Sequence, residues 1–324
     1  METIGIGAIG CGGIASGHLP AYRDVEGIET VAVCDIDEQA ASERAEQFDV
    51  RAVYADWREL LEDERVDAVS VLLPHHLHRD VTVAAAEAGK HVLCEKPMAT
   101  SLAEVDEMIA AADEAGVVLM IGQILRFRAA NARARELIRE GAVGEVRNVL
   151  RRRLGKSEGF RSEWARKPEE AGGWVLYGYG AHEVDMILWL TDGDPGDVYA
   201  QARVNNEYWN DYDELTVQMS LIDGPMSTYQ HSINTPFGAW ECMVIGTEDA
   251  MMVRTGEIQV GDEVIEVPLD SPAAWRAQVG EFVRAIREED EPEGSGKDVR
   301  ATMAALEAAK LSIRDGVVVD ASSL

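Results

Sequence analysis

Apolar runs and stretches of helical periodicity alternate along the first part of the chain. Thr3–Ile9 is a short apolar run followed by a glycine-rich turn, Thr30–Cys34 is a second, β-branched run, and Val50–Val53 is a brief third. Asp67–Leu73 is apolar almost throughout, as a strand covered on both faces must be. His91–Cys94 and Val117–Ile121 complete the series. Between these runs, Asp37–Phe48 and Val81–Ala88 carry helical spacing, and Gly89 supplies a stop signal. Asp56 caps a short helix with Leu60 and Leu61 on its apolar side, and Ser101 with Glu104 forms a capping box for a helix that Gly116 ends. Strands and helices in alternation with short connections predict an α/β fold with a doubly wound parallel sheet.

The rhythm changes after Gly122. A helix with Arg133, Leu137 and Ile138 ends at Gly141, and longer strand-like runs follow: Val143–Leu154, Val198–Asn205, Leu215–Ile222, Ser227–Ile233 and Glu241–Ile245. Read as strands in series without helices between them, they predict a large, mostly antiparallel open sheet. Ala273–Glu288 and Lys297–Ile313 read as helices lying on that sheet, joined by the acidic loop Glu288–Gly296. A chain of 324 residues accommodates two domains of ordinary size, here 1–122 and 123–324.

Composition narrows the setting. The chain carries 59 acidic against 30 basic residues, a net charge of −29. Such a surface repels nucleic acid and anionic membranes, and its self-repulsion is relieved by salt, which points to a salt-rich cytosol. The N-terminus lacks a basic region followed by an apolar stretch, and the longest apolar run is far too short to span a bilayer, so the expected location is the cytoplasm. Cys11, Cys34, Cys94 and Cys242 have no metal-ligand spacing and read as small buried side chains in a reducing compartment. His75, His76 and His78 share one loop without accompanying acids or cysteines, and no metal is expected there.

The chemistry begins at the first turn. Gly10-Cys11-Gly12-Gly13-Ile14-Ala15 fits G-x-G-x-x-A after an apolar strand and before a helix, with Asp35 and Ile36 following the second strand. Gly10 permits the tight turn, Gly12 a close approach of pyrophosphate to the backbone, and Ala15 close helix–sheet contact. Free N–H groups at the helix start attract the phosphates. The Asp35 carboxylate accepts hydrogen bonds from the adenosine ribose. A 2′-phosphate at about 4 Å from that charge would be repelled by roughly 4 kcal/mol at an effective dielectric of 20. Asp37 adds to this and no arginine directly follows Asp35, so NAD is expected over NADP.

With Leu73-Pro74-His75, Gly89–Pro97 (which contains Glu95-Lys96-Pro97) and Gly172-Gly173 through His182 and Asp185, these segments resemble the Gfo/Idh/MocA family. The resemblance implies an N-terminal Rossmann domain, a C-terminal α/β domain, and homodimers or homotetramers built on the open sheet. It implies Lys96 as the catalytic lysine beside the nicotinamide and His182 as the catalytic histidine. A cation stabilises developing alkoxide charge, and histidine exchanges protons near neutrality. It also implies Gly13, Ile14, Pro74, His78 and Glu95 near the cofactor. Asp185, one helical turn past His182, is read either as a substrate contact or as an ion-pair partner. The loop Gly159–Lys167 offers Trp164 for the apolar face of a sugar ring and Arg161, Arg166 or Lys167 for anionic or hydroxyl groups. Gln123 and Arg126 are lesser candidates, and Arg151-Arg152-Arg153 reads as a strand face paired with surface acids.

One departure stands out. The family's usual aspartate, four residues before the histidine, is Gly178 here, with Tyr177 and Tyr179 as candidate phenolic substitutes and Tyr179 as a substrate contact. The expected function is reversible hydride transfer between NAD and a secondary alcohol of a sugar, polyol or related hydroxy acid. A dinucleotide-binding sensor without turnover and an NAD-using lyase or glycosidase remain as alternatives.

Overall fold

The computed structural model describes residues 3–157, 159, 162–206, 209, 211–269 and 271–324. The chain divides into two compact units. One comprises Met1–Ala99, Ala103–Ile124 and Ser271–Arg300, the other Thr100–Leu102, Leu125–Asp270 and Ala301–Leu324.

In the first unit the chain alternates β1 (Ile4–Ile9), α1 (Ala15–Asp24), β2 (Ile28–Cys34), α2 (Glu38–Phe48), β3 (Ala52–Tyr54), α3 (Trp57–Leu61), β4 (Ala68–Val71), α4 (His78–Glu87), β5 (His91–Glu95), α5 (Leu102–Ala115) and β6 (Leu119–Gly122). The six strands are parallel in the order β3-β2-β1-β4-β5-β6. This is the doubly wound sheet that the alternation predicts. β1 and β4 are buried along their whole length, which explains their unbroken apolar composition. The strand order reverses between β1 and β4, the position where such sheets open a crevice at their carboxyl edge.

The second unit contains α6 (Ala129–Arg139), β7 (Val146–Lys156), α7 (Pro168–Ala171), a π-helical turn (Trp174–Tyr179) and α8 (Gly180–Thr191). β8 (Pro195–Arg203), β9 (Glu214–Leu221), β10 (Met226–Ser232), β11 (Asn234–Gly246), β12 (Ala250–Arg254), β13 (Glu257–Val260) and β14 (Glu263–Glu266) follow. After α9 (Ser271–Glu288) and α10 (Gly296–Asp315) the chain adds β15 (Val319–Asp320). The nine strands run β14-β13-β12-β11-β7-β10-β9-β8-β15. Every neighbouring pair is antiparallel except β7 and β10.

Two expectations are corrected. β7 and β8 are separated by α7, the π turn and α8, so the first gap in the strand series is helical. Helix α8 is buried on nearly every side, from Gly180 to Leu190, and therefore lacks the one-sided periodicity that announces a surface helix. Helix α9, expected with the antiparallel sheet, belongs to the first unit, where it packs on α1. Its Trp275 ring lies where a Cβ on Gly17 would come within 2.5 Å, so a glycine on α1 makes the berth. The sheet also gains the β12–β14 meander, turned at Thr255-Gly256 and Gly261-Asp262, where positive φ suits the hairpin turns.

Candidate active site

In the first unit the glycine turn leaves β1 with Gly10 at φ 105°, and a Cβ there would lie 2.4 Å from the Leu72 carbonyl oxygen. Only glycine fits. Cβ atoms on Gly12 and Gly13 would meet nothing within 4 Å, so both face open space. Helix α1 then starts at Ala15 with no side-chain cap and no acid in its first turn, so no side chain of the helix competes with an anion at its positive end. Asp35 is fastened to this turn: one carboxylate oxygen accepts the Cys11 N–H at 2.7 Å and the other the Asp37 N–H at 2.9 Å. Each oxygen keeps capacity for a ribose hydroxyl. Ile36 is 93% exposed beside it. This cradle fits a dinucleotide.

One residue missed by the sequence reading joins it. Arg44 of α2 reaches the carbonyls of Cys11 and Gly12 at 3.3 and 3.4 Å. Nothing in the spacing Asp35 to Arg44 announces that contact, because it depends on how α2 lies against the glycine turn.

The loops after β4 and β5 lie at the same carboxyl edge. Lys96 directly follows β5 and is half-buried. Pro74 is half-buried at the start of a short turn, His75–Leu77. His78, expected beside the cofactor, is instead fully buried, with Nδ1 2.8 Å from the Pro97 carbonyl and Nε2 2.8 Å from the Leu73 carbonyl. It braces one loop against the other, and burial pushes its pKa down. Glu95, also expected near the cofactor, is 6% exposed and turned toward His18 at 2.8 Å. Burial works to raise its pKa, but the hydrogen bond and charge of His18 and the charge of Lys96 outweigh it, so Glu95 stays below the usual carboxylate range. His78 thus joins the loops after β4 and β5, and Glu95 ties the end of β5 to α1. Among the described residues no group of three His, Cys, Asp or Glu is arranged to hold a metal ion.

In the second unit Gly172 and Gly173, at φ 73° and 101°, lead into the π turn, where Tyr177 and Gly178 both donate to the Gly173 carbonyl, at 2.8 and 3.4 Å. Such turns are frequent at functional sites. His182 stands half-buried in the first turn of α8, three residues past Tyr179. Tyr177 is buried and its hydroxyl donates to Glu307 at 2.5 Å, so it does not replace the missing aspartate. Tyr179 stays half-buried, its ring 5.9 Å from Trp174 and 4.8 Å from His231, and Trp174 in turn meets Trp164 at 5.5 Å. Trp164 thus belongs to an aromatic wall whose other members, Trp174 and His231, sequence reasoning missed. Arg161 lies outside the described residues; Arg166 is half-buried, and Lys167 is exposed and paired with Glu170 at 2.6 Å.

The three arginines split by strand alternation. Arg152 pairs with Glu241, as a strand face with nearby acids would. Arg151 and Arg153 point the other way and share Glu183, which is fully buried and also accepts Trp240 Nε1 at 3.1 Å. Burial would raise the Glu183 pKa, and the two guanidiniums hold it below the usual range. Arg153 lies over the Tyr179 ring at 4.3 Å and the Trp240 ring at 4.7 Å. Asp185 is corrected from substrate contact to ion-pair partner: Arg126 grips both its oxygens, at 2.6 and 2.9 Å, with the two side chains 2% and 1% exposed. Gln123, on the first unit, is fully buried.

Residues 4–123 match the model of an oxidoreductase family with an NAD-binding Rossmann fold, and residues 131–252 match the Gfo/Idh/MocA C-terminal domain. The chain belongs to the Gfo/Idh/MocA oxidoreductase family. D-apiose dehydrogenase from Paraburkholderia graminis is 28% identical over 98% of this chain and 89% of its own length. D-xylose 1-dehydrogenase (NADP(+)) 2 from Haloferax volcanii is 28% identical over 97% of this chain and 98% of its own. A levoglucosan dehydrogenase solved with NADH and levoglucosan superposes with a TM-score of 0.92 at 21% identity, covering 99% of this chain and 100% of the other, which establishes the shared fold.

Proposed function

We propose that the protein catalyses reversible NAD-dependent oxidation of a secondary alcohol in a sugar, polyol or related hydroxy acid. The observation that carries the reading is the placement, on one carboxyl edge of one parallel sheet, of the open glycine turn after β1 and of Lys96 after β5. The glycine turn and the start of α1, which no side chain caps, hold the pyrophosphate, and Asp35 holds the adenosine ribose. Bound NAD supplies the hydride acceptor. Lys96 donates a hydrogen bond to the reacting hydroxyl oxygen and stabilises its developing negative charge. His182 accepts the hydroxyl proton as the carbon–hydrogen bond breaks, and returns it in the reverse direction. Trp164, Trp174 and Tyr179 give a sugar ring an apolar wall, with Tyr179 keeping a hydroxyl for polar contact.

The test is NADH formation, followed by absorbance across a panel of sugars, polyols and hydroxy acids in molar KCl. Turnover on a panel member is expected, and Lys96→Ala should lower kcat by about 10²–10³-fold while leaving NADH affinity intact. Undiminished kcat in that variant removes Lys96 from the chemistry. Tight NADH binding with no turnover on any alcohol would favour a sensor.

The same reading places the protein in the cytoplasm as a homodimer or homotetramer. The four cysteines are free and buried, which suits a reducing compartment. Met226 and Phe237 on the nine-stranded sheet are 65% and 61% exposed, suiting association through that sheet. Light scattering on the purified protein decides the oligomeric state.

A further inference from the structure

Four buried polar side chains of the first unit form an unbroken hydrogen-bonded series that ends at the neighbour of Lys96. Tyr22 donates to Ser70 of β4 at 2.7 Å, and its oxygen lies 2.9 Å from Nδ1 of His18; both Tyr22 and His18 sit on α1. His18 Nε2 lies 2.8 Å from Oε1 of Glu95 at the end of β5. A carboxylate only accepts, so His18 Nε2 carries the hydrogen. The second Glu95 oxygen accepts the Lys96 backbone N–H at 3.2 Å. None of the four side chains belongs to a residue more than 6% exposed.

The surroundings are shaped around this series. A Cβ on Gly122 would stand 3.0 Å from Glu95 Oε1, so the glycine ending β6 leaves room for the carboxylate. The Trp275 ring closes over His18 at a centroid distance of 4.7 Å. Burying this much polarity is costly unless every group is paired.

We infer that His18 is a positioning residue for Lys96: by keeping Glu95 ionised and fixed, it holds a negative charge beside the lysine and so keeps the ammonium protonated and directed at the substrate oxygen. His18 stands on the helix that receives the pyrophosphate, so the same contact ties the cofactor-binding helix to the strand end that carries the lysine. The inference rests on the assignment of Lys96 to the reacting oxygen. The titratable groups facing Glu95 are His18, Tyr22, His78, Cys94 and Lys96. Burial pushes the Tyr22 and Cys94 pKa values well up and the His78 value down, so these three are neutral near pH 7. His18 and Lys96 are then the basic groups that act on Glu95.

The chain has six lysines, few enough to be resolved individually by NMR after reductive ¹³C-methylation, with Lys96→Arg identifying the Lys96 signal. In His18→Leu, Glu95 loses its buried partner and takes up a proton. The Lys96 midpoint should then fall by about 1–3 pH units. Glu95→Gln should lower it equally, and the double variant no further. His18→Gln, which keeps a donor and the polarity of the pocket, should fall less, and serves where the leucine variant does not fold. A Lys96 midpoint unchanged in the folded His18 variants overturns the inference, as does a fall in Glu95→Gln alone. The turnover of Lys96→Ala is read separately. If it is normal, the functional reading fails, while the titration still decides whether His18 governs the lysine.

Discussion

Replacing Asp185 with alanine separates two roles for this carboxylate. Arg126 binds it in a two-pronged geometry at 2.6 and 2.9 Å, both side chains are essentially inaccessible, and Thr302 Oγ1 lies 3.3 Å from the same carboxylate. Asp185→Ala takes the two-pronged carboxylate away from a buried guanidinium. Removing one partner of a buried pair costs about 3–5 kcal/mol, because the charge left behind loses its closest opposite charge and cannot reach water. At about 2–4 °C per kcal/mol for a folded unit of this size, the melting temperature should fall by roughly 10 °C. The assay is thermal unfolding in molar KCl, read by circular dichroism, beside the KM for the best substrate. The double variant Arg126→Met, Asp185→Leu removes both charges and should recover most of the loss, since well-packed apolar pairs replace buried ion pairs at little or no cost. A single variant that melts within about 2 °C of the parent but has lost substrate affinity would refute the argument and return Asp185 to the substrate.

Two further outcomes follow from charge. His231 is buried beside Arg153, and burial first, then that guanidinium, push its pKa down to about 3 from 6.5. The unfolded chain therefore binds a proton between pH 6.5 and 3 that the folded one refuses. The stabilisation is fully present above pH 6.5 and is lost as pH falls, at roughly 1.4 kcal/mol per pH unit. His231→Asn should flatten the fall of the urea midpoint between pH 7 and 5, and equal slopes in parent and variant would disprove this. With 59 acids against 30 bases, acids greatly outnumber their possible partners. Screening their repulsion should outweigh the weakening of exposed ion pairs, so the melting temperature should rise between low and molar KCl; a flat or falling curve refutes it.

The turn at Gly10 and the strand-end position of Lys96 were legible because their constraints are local: a turn that admits no Cβ, and a distinctive Glu-Lys-Pro segment closing an apolar run. The glycine turn, the acid after β2 and the doubly wound order all express chain geometry over short distances. Helix α9 was legible as a helix but not by its neighbour, because its periodicity shows an apolar side without saying which surface covers it. The partners of His78, Glu95 and Asp185 were not legible for the same kind of reason. Each is a polar residue whose role depends on a partner distant in sequence: the Pro97 carbonyl, His18 and Arg126.

The sequence by itself determined the alternation of strands and helices, the dinucleotide cradle and the excess of negative charge, all carried by neighbouring residues or by composition. Only the tertiary structure decided which buried charges meet. Glu183 takes Arg151 and Arg153 but not Arg152 because a strand sends alternate side chains to opposite faces and α8 covers one of them. A carboxylate buried at that depth is stable only where the fold delivers its cations, and spacing along the chain does not encode that delivery.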